Sequence, residues 1–103
     1  MRPISTAVAG IALLAAASAP ALADCEEIVF SDVGWTDITA TTATTRTVLE
    51  ALGYEVDVKV LSVPVTYASL AEGDVEAFLG NWMPTMEADI APYREAGTVE
   101  TVR

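Results

Sequence analysis

Apolar and polar residues follow strand-like and then helix-like periods from residue 28 onward. Residues 28–30 form a short apolar run that ends in a polar loop, which predicts a first strand. Residues 37–52 are long enough for a helix and stop before Gly53, with Thr36 or Asp37 available as the cap. The predicted buried face of this helix consists of Ile38, Thr45, Val48, Leu49 and Leu52.

The second half of the chain continues the same order with shorter elements. The remaining predicted elements are a strand over 54–61, a helix over 65–72, a strand over 75–79, a helix from Thr85 towards Ile90, and a strand over 98–102. The resulting order is β-α-β-α-β-α-(β). Because crossovers between parallel strands are right-handed, this order predicts an α/β fold, a parallel sheet with helices on both faces.

The N-terminus has the three parts of an export signal. Arg2 supplies the positive charge, residues 4–17 form the apolar core, and Ala21-Leu22-Ala23 is a small-x-small cleavage box. These features predict a cleavable signal peptide over residues 1–23 and a mature chain, 24–103, in the periplasm. A membrane anchor is the alternative, but the apolar run falls short of the ~20 residues that span a bilayer.

Cys25 is the single cysteine of the chain. A lipid-modified cysteine follows a small residue, whereas Cys25 follows Asp24, so a soluble periplasmic protein is favoured over a lipoprotein. A lone cysteine is unusual in an oxidising compartment. Either the Cys25 thiol stays free or its partner belongs to a chain segment beyond these residues.

Composition excludes several functional classes. Fifteen acidic against five basic residues give a net charge of -10, which would repel a phosphate backbone, so nucleic-acid binding is not expected. The absence of histidine and the presence of a single cysteine exclude histidine-based acid catalysis, Cys-His nucleophiles and nearly every zinc site. Neither a cofactor nor a metal site is therefore predicted.

Two tryptophans are expected to share one crevice. Ligands bind parallel sheets beyond the carboxyl ends of the strands, at the point where the winding direction reverses. If the first strand lies between the second and third, Trp35 and Trp82 both leave strands at that point. With the nearby Asp37 they would form a trap for a methylated cation, which ring faces and a carboxylate attract. The alternatives are that the tryptophans are core residues and that Asp37 caps its helix.

Three segments carry a specific resemblance. They are SDVGWTDI at 31–38, VKVLSVPVTY at 58–67 and FLGNWMPTM at 78–86. These segments resemble the choline-binding periplasmic proteins of ABC importers, which belong to the glycine betaine and choline substrate-binding family. The resemblance implies a partial lobe of a type II periplasmic-binding-protein fold, a clamshell that closes on its ligand. It also implies an aromatic box around the trimethylammonium group, in which Trp35 and Trp82 are two walls and Asp37 is the acid.

The resemblance further implies a role and partners. The expected function is the binding of choline and its delivery to the transmembrane permease subunits, without catalysis. A glycine betaine or proline betaine-binding protein is the alternative, and acetylcholine would also fit the site. Because an acid facing the ligand attracts choline and repels the carboxylate of betaine, Asp37 favours choline. An enzyme using Asp32 and Asp37, or a structural module anchored by tryptophans, are two further classes to be tested.

The length of the mature chain suggests an incomplete lobe. Residues 24–103 would supply only the N-terminal part of the first lobe, without the second lobe and its contacts to the ligand. A domain of this size buries only ~60% of its unfolded surface. We therefore expect the 103-residue chain to bind weakly and to fold poorly by itself.

Overall fold

The computed structural model describes residues 26–102, so the predicted signal peptide over 1–23 and Cys25 lie outside the described residues. Three strands alternate with three helices in the described part of the chain. Their bounds are β1 (Glu27–Asp32), α1 (Thr36–Ala51), β2 (Glu55–Val60), α2 (Val63–Glu72), β3 (Ala77–Phe78) and α3 (Glu87–Glu95). The predicted order of elements is thus confirmed as far as α3.

The sheet is parallel and has the order β2-β1-β3. β1 pairs with β2 along its whole length, from Glu27 opposite Glu55 to Asp32 opposite Val60. β3 contributes only Ala77 and Phe78. This order confirms the expectation that the first strand lies between the other two, so the loops after β1 and β3 leave the sheet side by side.

β3 is shorter than the predicted 75–79 because a side chain replaces part of its ladder. The backbone N–H of Glu76 donates to the Val29 carbonyl at 2.8 Å. The Val29 N–H in turn donates to the Glu76 carboxylate, where an extended strand would offer a main-chain carbonyl. Regular pairing therefore begins only at Ala77.

Consecutive residues of β1 show that the helices lie on both faces of the sheet. The Ser31 hydroxyl is 2.6 Å from the Thr66 hydroxyl of α2, a pair that is fully buried. The next residue, Asp32, accepts a 2.7 Å hydrogen bond from the Thr39 hydroxyl of α1. Because successive side chains of a strand point to opposite faces, α2 covers one face and α1 the other. The predicted helices on both faces are confirmed.

The buried face of α1 differs from the predicted one. Ile38 and Thr42 are buried, whereas Val48 and Leu52 are 56% and 69% exposed. Val48 lies in the last turn of α1 and Leu52 is its C-cap, so the buried part of this helix lies towards its N-terminus. Neither Thr36 nor Asp37 caps the helix, because its N-cap is Trp35 and the cap makes no side-chain hydrogen bond.

An apolar cluster lies between α2, α3 and β3. Its buried members are Tyr67, Met86 and Ile90, and the partly buried residues packed against them are Val63, Leu70, Phe78, Tyr93 and Val99. The Tyr67 and Phe78 rings meet edge to face, with centroids 5.9 Å apart. This cluster joins α2 and α3 to the end of β3, where the chain turns towards Trp82.

Two expectations for the C-terminal region were wrong. The N-cap of α3 is Met86 instead of Thr85, because the Met86 N–H already donates to the Trp82 carbonyl in the turn before the helix. Residues 98–102 form no strand in the part of the chain that the structure describes. The N–H groups of Thr98 and Val99 instead donate to the Tyr93 carbonyl and close the end of α3.

Candidate functional site

Trp35 and Trp82 meet at the carboxyl-terminal edge of the sheet. Their ring centroids are 5.8 Å apart with an interplanar angle of 63°, an edge-to-face arrangement. The two side chains remain 41% and 51% exposed, so they are not core residues. The alternative that each tryptophan is buried in the core is therefore wrong, and both residues remain partly accessible for contact.

Asp32 shapes the turn that presents Trp35. One carboxylate oxygen accepts from the Gly34 N–H at 2.8 Å, and the other accepts from the Thr39 hydroxyl at 2.7 Å. Gly34 has φ 81°, a left-handed conformation that glycine adopts at little cost. With both oxygens bound and only 5% exposure, the Asp32 carboxylate serves the turn that presents Trp35.

The turn that presents Trp82 passes very close to the core. A Cβ on Gly80 would lie 2.7 Å from a ring carbon of Phe78 and 3.0 Å from Ile38, so a side chain at this position would force the ring to move. The next residue, Asn81, accepts a 2.6 Å hydrogen bond at Oδ1 from the Tyr67 hydroxyl. Glycine and the asparagine contact together let the chain leave β3 and reach Trp35.

The sequence did not indicate that the Tyr67 hydroxyl forms a hydrogen bond, since a tyrosine in a helix is usually a packing residue or a surface residue. Its side chain is 1% exposed, and its hydroxyl contacts both Asn81 and, at 3.3 Å, the Met86 sulfur. Burial, with a smaller contribution from the charge of Asp89, raises the pKa of Tyr67 to about 12. The hydroxyl therefore stays protonated and remains a donor at neutral pH.

Asp37 lies in the first turn of α1, two residues after Trp35, and is exposed. Its backbone carbonyl accepts from the Thr41 hydroxyl, but within residues 26–102 its carboxylate has neither a hydrogen bond nor an ion pair. Asp37 thus differs from Asp32, both of whose carboxylate oxygens are bound. An exposed carboxylate two residues from an exposed tryptophan can attract a cation.

A groove of about 1190 Å³ lies elsewhere, along β3, α3 and residues 97–102. Neither Trp35 nor Trp82 lines it, although Tyr67 and Asn81 do. Among the described residues no cluster of three or more acidic, histidine or cysteine side chains is arranged to hold a metal ion. Within the same range, no helix combines the length and the apolar character that crossing a membrane requires.

The chain matches a known class of transport proteins. Residues 26–103 match the family described as the substrate-binding domain of ABC-type glycine betaine transport systems. The match covers most of the chain, so the protein is a member of that family. The family resemblance predicted from the three sequence segments is confirmed, and its members are substrate-binding components of transporters.

Two solved structures of choline-binding proteins are similar to this chain. The chain is 77% identical to an ABC-transporter choline-binding protein in complex with choline, with a TM-score of 0.76 over 77% of this chain. The same identity holds for an ABC-transporter choline-binding protein in an unliganded semi-closed conformation, with a TM-score of 0.70 over 76% of this chain. A protein of Chromohalobacter salexigens, uncharacterized protein ORF1, is 53% identical over 77 residues, 75% of this chain.

These relatives are longer than the matched region. The match covers 27% of the solved choline-binding chains and 50% of the Chromohalobacter protein. The described residues therefore correspond to one part of a larger binding protein fold. The partial-lobe α/β fold expected from the resemblance is confirmed by the structural similarity.

Proposed function

We propose that this chain supplies one side of a choline-binding site in the periplasmic substrate-binding component of an ABC importer. The observation that carries the proposal is the convergence of two half-exposed tryptophan rings, Trp35 and Trp82, at the carboxyl edge of the sheet. The high identity to choline-binding proteins of known structure supports the same ligand class.

The ring geometry suits a quaternary ammonium group. Such a cation carries no N–H and cannot donate ordinary hydrogen bonds, so its recognition relies on ring quadrupoles, at ~0.5–2 kcal/mol per contact. The edge-to-face angle of 63° leaves the two ring faces pointing in different directions, as two walls of a corner do. A tetrahedral trimethylammonium head would rest its methyl groups against both walls, with the rest of the enclosure supplied by other parts of the protein.

The free carboxylate of Asp37 selects choline within this ligand class. Choline has a net positive charge, whereas glycine betaine carries an additional carboxylate that Asp37 repels. A glycine betaine or proline betaine-binding protein is the second candidate, favoured by the transport system for which the matched family is described. Acetylcholine shares the head group and the net charge of choline and belongs in the same test.

The cellular role follows from the proposed ligand site. The protein would be exported through cleavage after Ala23, bind its ligand in the periplasm and deliver it to the transmembrane permease subunits. Binding and delivery leave the ligand covalently unchanged, so we propose a binding protein without enzymatic activity. Mass spectrometry of periplasmic material tests the export step, because an uncleaved N-terminus or a lipid-modified Cys25 would contradict it.

Titration of the intact gene product with choline tests the proposal. Tryptophan fluorescence should change saturably on addition of choline, and choline should be recovered unaltered. A matched ligand control is 3,3-dimethylbutanol, which has the shape of choline but no charge and should bind far more weakly. Saturation by the neutral analogue with equal affinity would contradict a cation site, and conversion of choline to a product would favour an enzyme.

Alanine variants assign the site to the two tryptophans. Trp35→Ala and Trp82→Ala should each weaken choline binding by roughly 2 kcal/mol or more, as is typical of aromatic anchors at binding surfaces. The matched controls are Trp35→Phe and Trp82→Phe, which keep a ring face and should retain most of the affinity. Unchanged affinity in both alanine variants would remove the tryptophan pair from the site.

A further inference from the structure

The Trp82 backbone is held on both sides by one residue, Met86. The Met86 N–H donates to the Trp82 carbonyl at 2.8 Å. The Trp82 N–H in turn is 3.4 Å from the Met86 sulfur, within the range for a donor to a thioether. Met86 itself is 3% exposed and belongs to the buried cluster, so these two contacts tie an exposed loop residue to the core.

Tyr67 holds the same loop from α2. Its hydroxyl donates to Asn81 Oδ1 at 2.6 Å and contacts the Met86 sulfur at 3.3 Å. A tyrosine hydroxyl has one proton, and the amide oxygen is a stronger acceptor than a thioether, so the donated bond goes to Asn81. The Asn81 amide then reaches the Thr101 hydroxyl at 3.5 Å. The residue preceding Trp82 is thereby fixed by contacts from two other segments of the chain.

Packing alone does not require the Tyr67 hydroxyl. The edge-to-face contact with Phe78 and the apolar contacts of the cluster use the ring, which phenylalanine would supply equally well. A buried hydroxyl is costly unless it is bonded, and here both of its contacts lie in the segment that carries Trp82. The polar atom thus acts on the Trp82 loop.

We infer that Tyr67 and Met86 are positioning residues that hold Trp82 against Trp35 in the orientation that a quaternary ammonium ligand needs. Neither residue is exposed to a ligand, since their side chains are 1% and 3% exposed. Their effect on affinity passes through Asn81 and through the Trp82 backbone. The inference rests on the proposed function of the tryptophan pair.

Two conservative variants test this role in the intact gene product. Tyr67→Phe removes only the hydroxyl, and Met86→Leu keeps a similar apolar volume but removes the sulfur acceptor. The matched control is Tyr93→Phe, because Tyr93 packs against the same cluster while its hydroxyl forms no hydrogen bond within residues 26–102. Choline affinity is measured by titration calorimetry, and the ligand-free arrangement of the tryptophans by near-ultraviolet circular dichroism.

Each test variant should bind choline about five- to tenfold more weakly than the unsubstituted protein. In the ligand-free variant the tryptophan dichroism should also be altered. Both quantities are measured at a temperature at which urea unfolding shows that the variant is fully folded. Tyr93→Phe should leave both quantities unchanged. If Tyr67→Phe does not fold, Met86→Leu decides by the same two measurements. An affinity loss without a change in dichroism, a change in dichroism without an affinity loss, or no change in either would overturn the inference.

The two proposals can fail separately. If the unsubstituted protein does not bind choline, the proposed function fails, and the dichroism of the variants alone decides whether Tyr67 and Met86 orient Trp82. If the unsubstituted protein binds choline but the variants bind it equally well, the positioning role fails and the proposed function stands.

Discussion

Replacing Asp37 with asparagine should weaken choline binding much more than betaine binding. The Asp37 carboxylate is exposed and unpaired within the described residues, so the substitution breaks no hydrogen bond seen in the structure. The helix loses only a favourable charge in its first turn, worth about 0.3–1 kcal/mol of stability. Any larger effect on ligand binding must therefore come from the interaction of the carboxylate with the ligand.

The expected size follows from Coulomb's law. At about 5 Å a unit charge pair is worth ~0.8 kcal/mol in bulk water and ~3 kcal/mol at an effective dielectric of about 20. Asp37 is exposed, so the value falls between these limits and predicts a loss of choline affinity of roughly fourfold to 150-fold. For betaine, the substitution removes the attraction of Asp37 to the ammonium group and its repulsion of the ligand carboxylate together, so the affinity for betaine should change little.

Titration calorimetry with both ligands measures this difference. The matched control is Asp57→Asn, the same substitution on an exposed acid of β2 that lies three residues before the carboxyl end of that strand. At ~3.3 Å per residue this places Asp57 about 10 Å from the crevice edge, beyond most of the screened interaction. Asp57→Asn should leave the ratio of the two affinities unaltered. Equal losses for both ligands in Asp37→Asn, or none, would refute a ligand-binding role for Asp37.

Further predictions concern buried hydroxyls, a tyrosine and a glycine. Thr42→Val should raise the free energy of unfolding by up to ~1 kcal/mol, because within residues 26–102 the buried Thr42 Oγ1 has no hydrogen-bond partner. Thr66→Val should lower the free energy of unfolding by ~1–3 kcal/mol by breaking a buried hydroxyl pair. Urea unfolding measures both changes, and equal effects would contradict the assignment. In an ultraviolet absorbance titration Tyr67 should ionise only near pH 12, because burial raises its pKa. The contribution of the protonated hydroxyl to stability is therefore present below about pH 10 and is lost as the pH rises through about 12. Ionisation of Tyr67 near pH 10 in the folded protein would contradict its burial. Gly80→Ala should destabilise the fold by ~1–3 kcal/mol, because its Cβ would lie 2.7 Å from the Phe78 ring; an unchanged urea midpoint would show that the ring can move freely.

The sequence determined the order of elements and the parallel sheet, and it predicted the convergence of the two tryptophans on the condition that the first strand is central. Hydrophobic periodicity is a local property, and the handedness of crossovers converts an order of elements into a sheet with few alternatives. Trp35 and Trp82 follow the first and third strands, so placing those strands side by side was enough to bring the rings together. Three short segments were also sufficient to indicate the family.

Only the tertiary structure decided which polar groups are available to a ligand. Asp32 and Asp37 both lie close to Trp35 in the sequence, but the Gly34 N–H and the Thr39 hydroxyl bind Asp32, whereas Asp37 is exposed. The partners of Tyr67 are 14 and 19 residues away along the chain, a separation that no periodic pattern reports. At the end of α3, the N–H groups of Thr98 and Val99 donate to the Tyr93 carbonyl, although the sequence predicted a strand over 98–102. A helix terminus needs such donors because its last carbonyls have no partner within the helix. Hydrogen bonds between distant segments depend on the packed geometry, which local patterns do not contain.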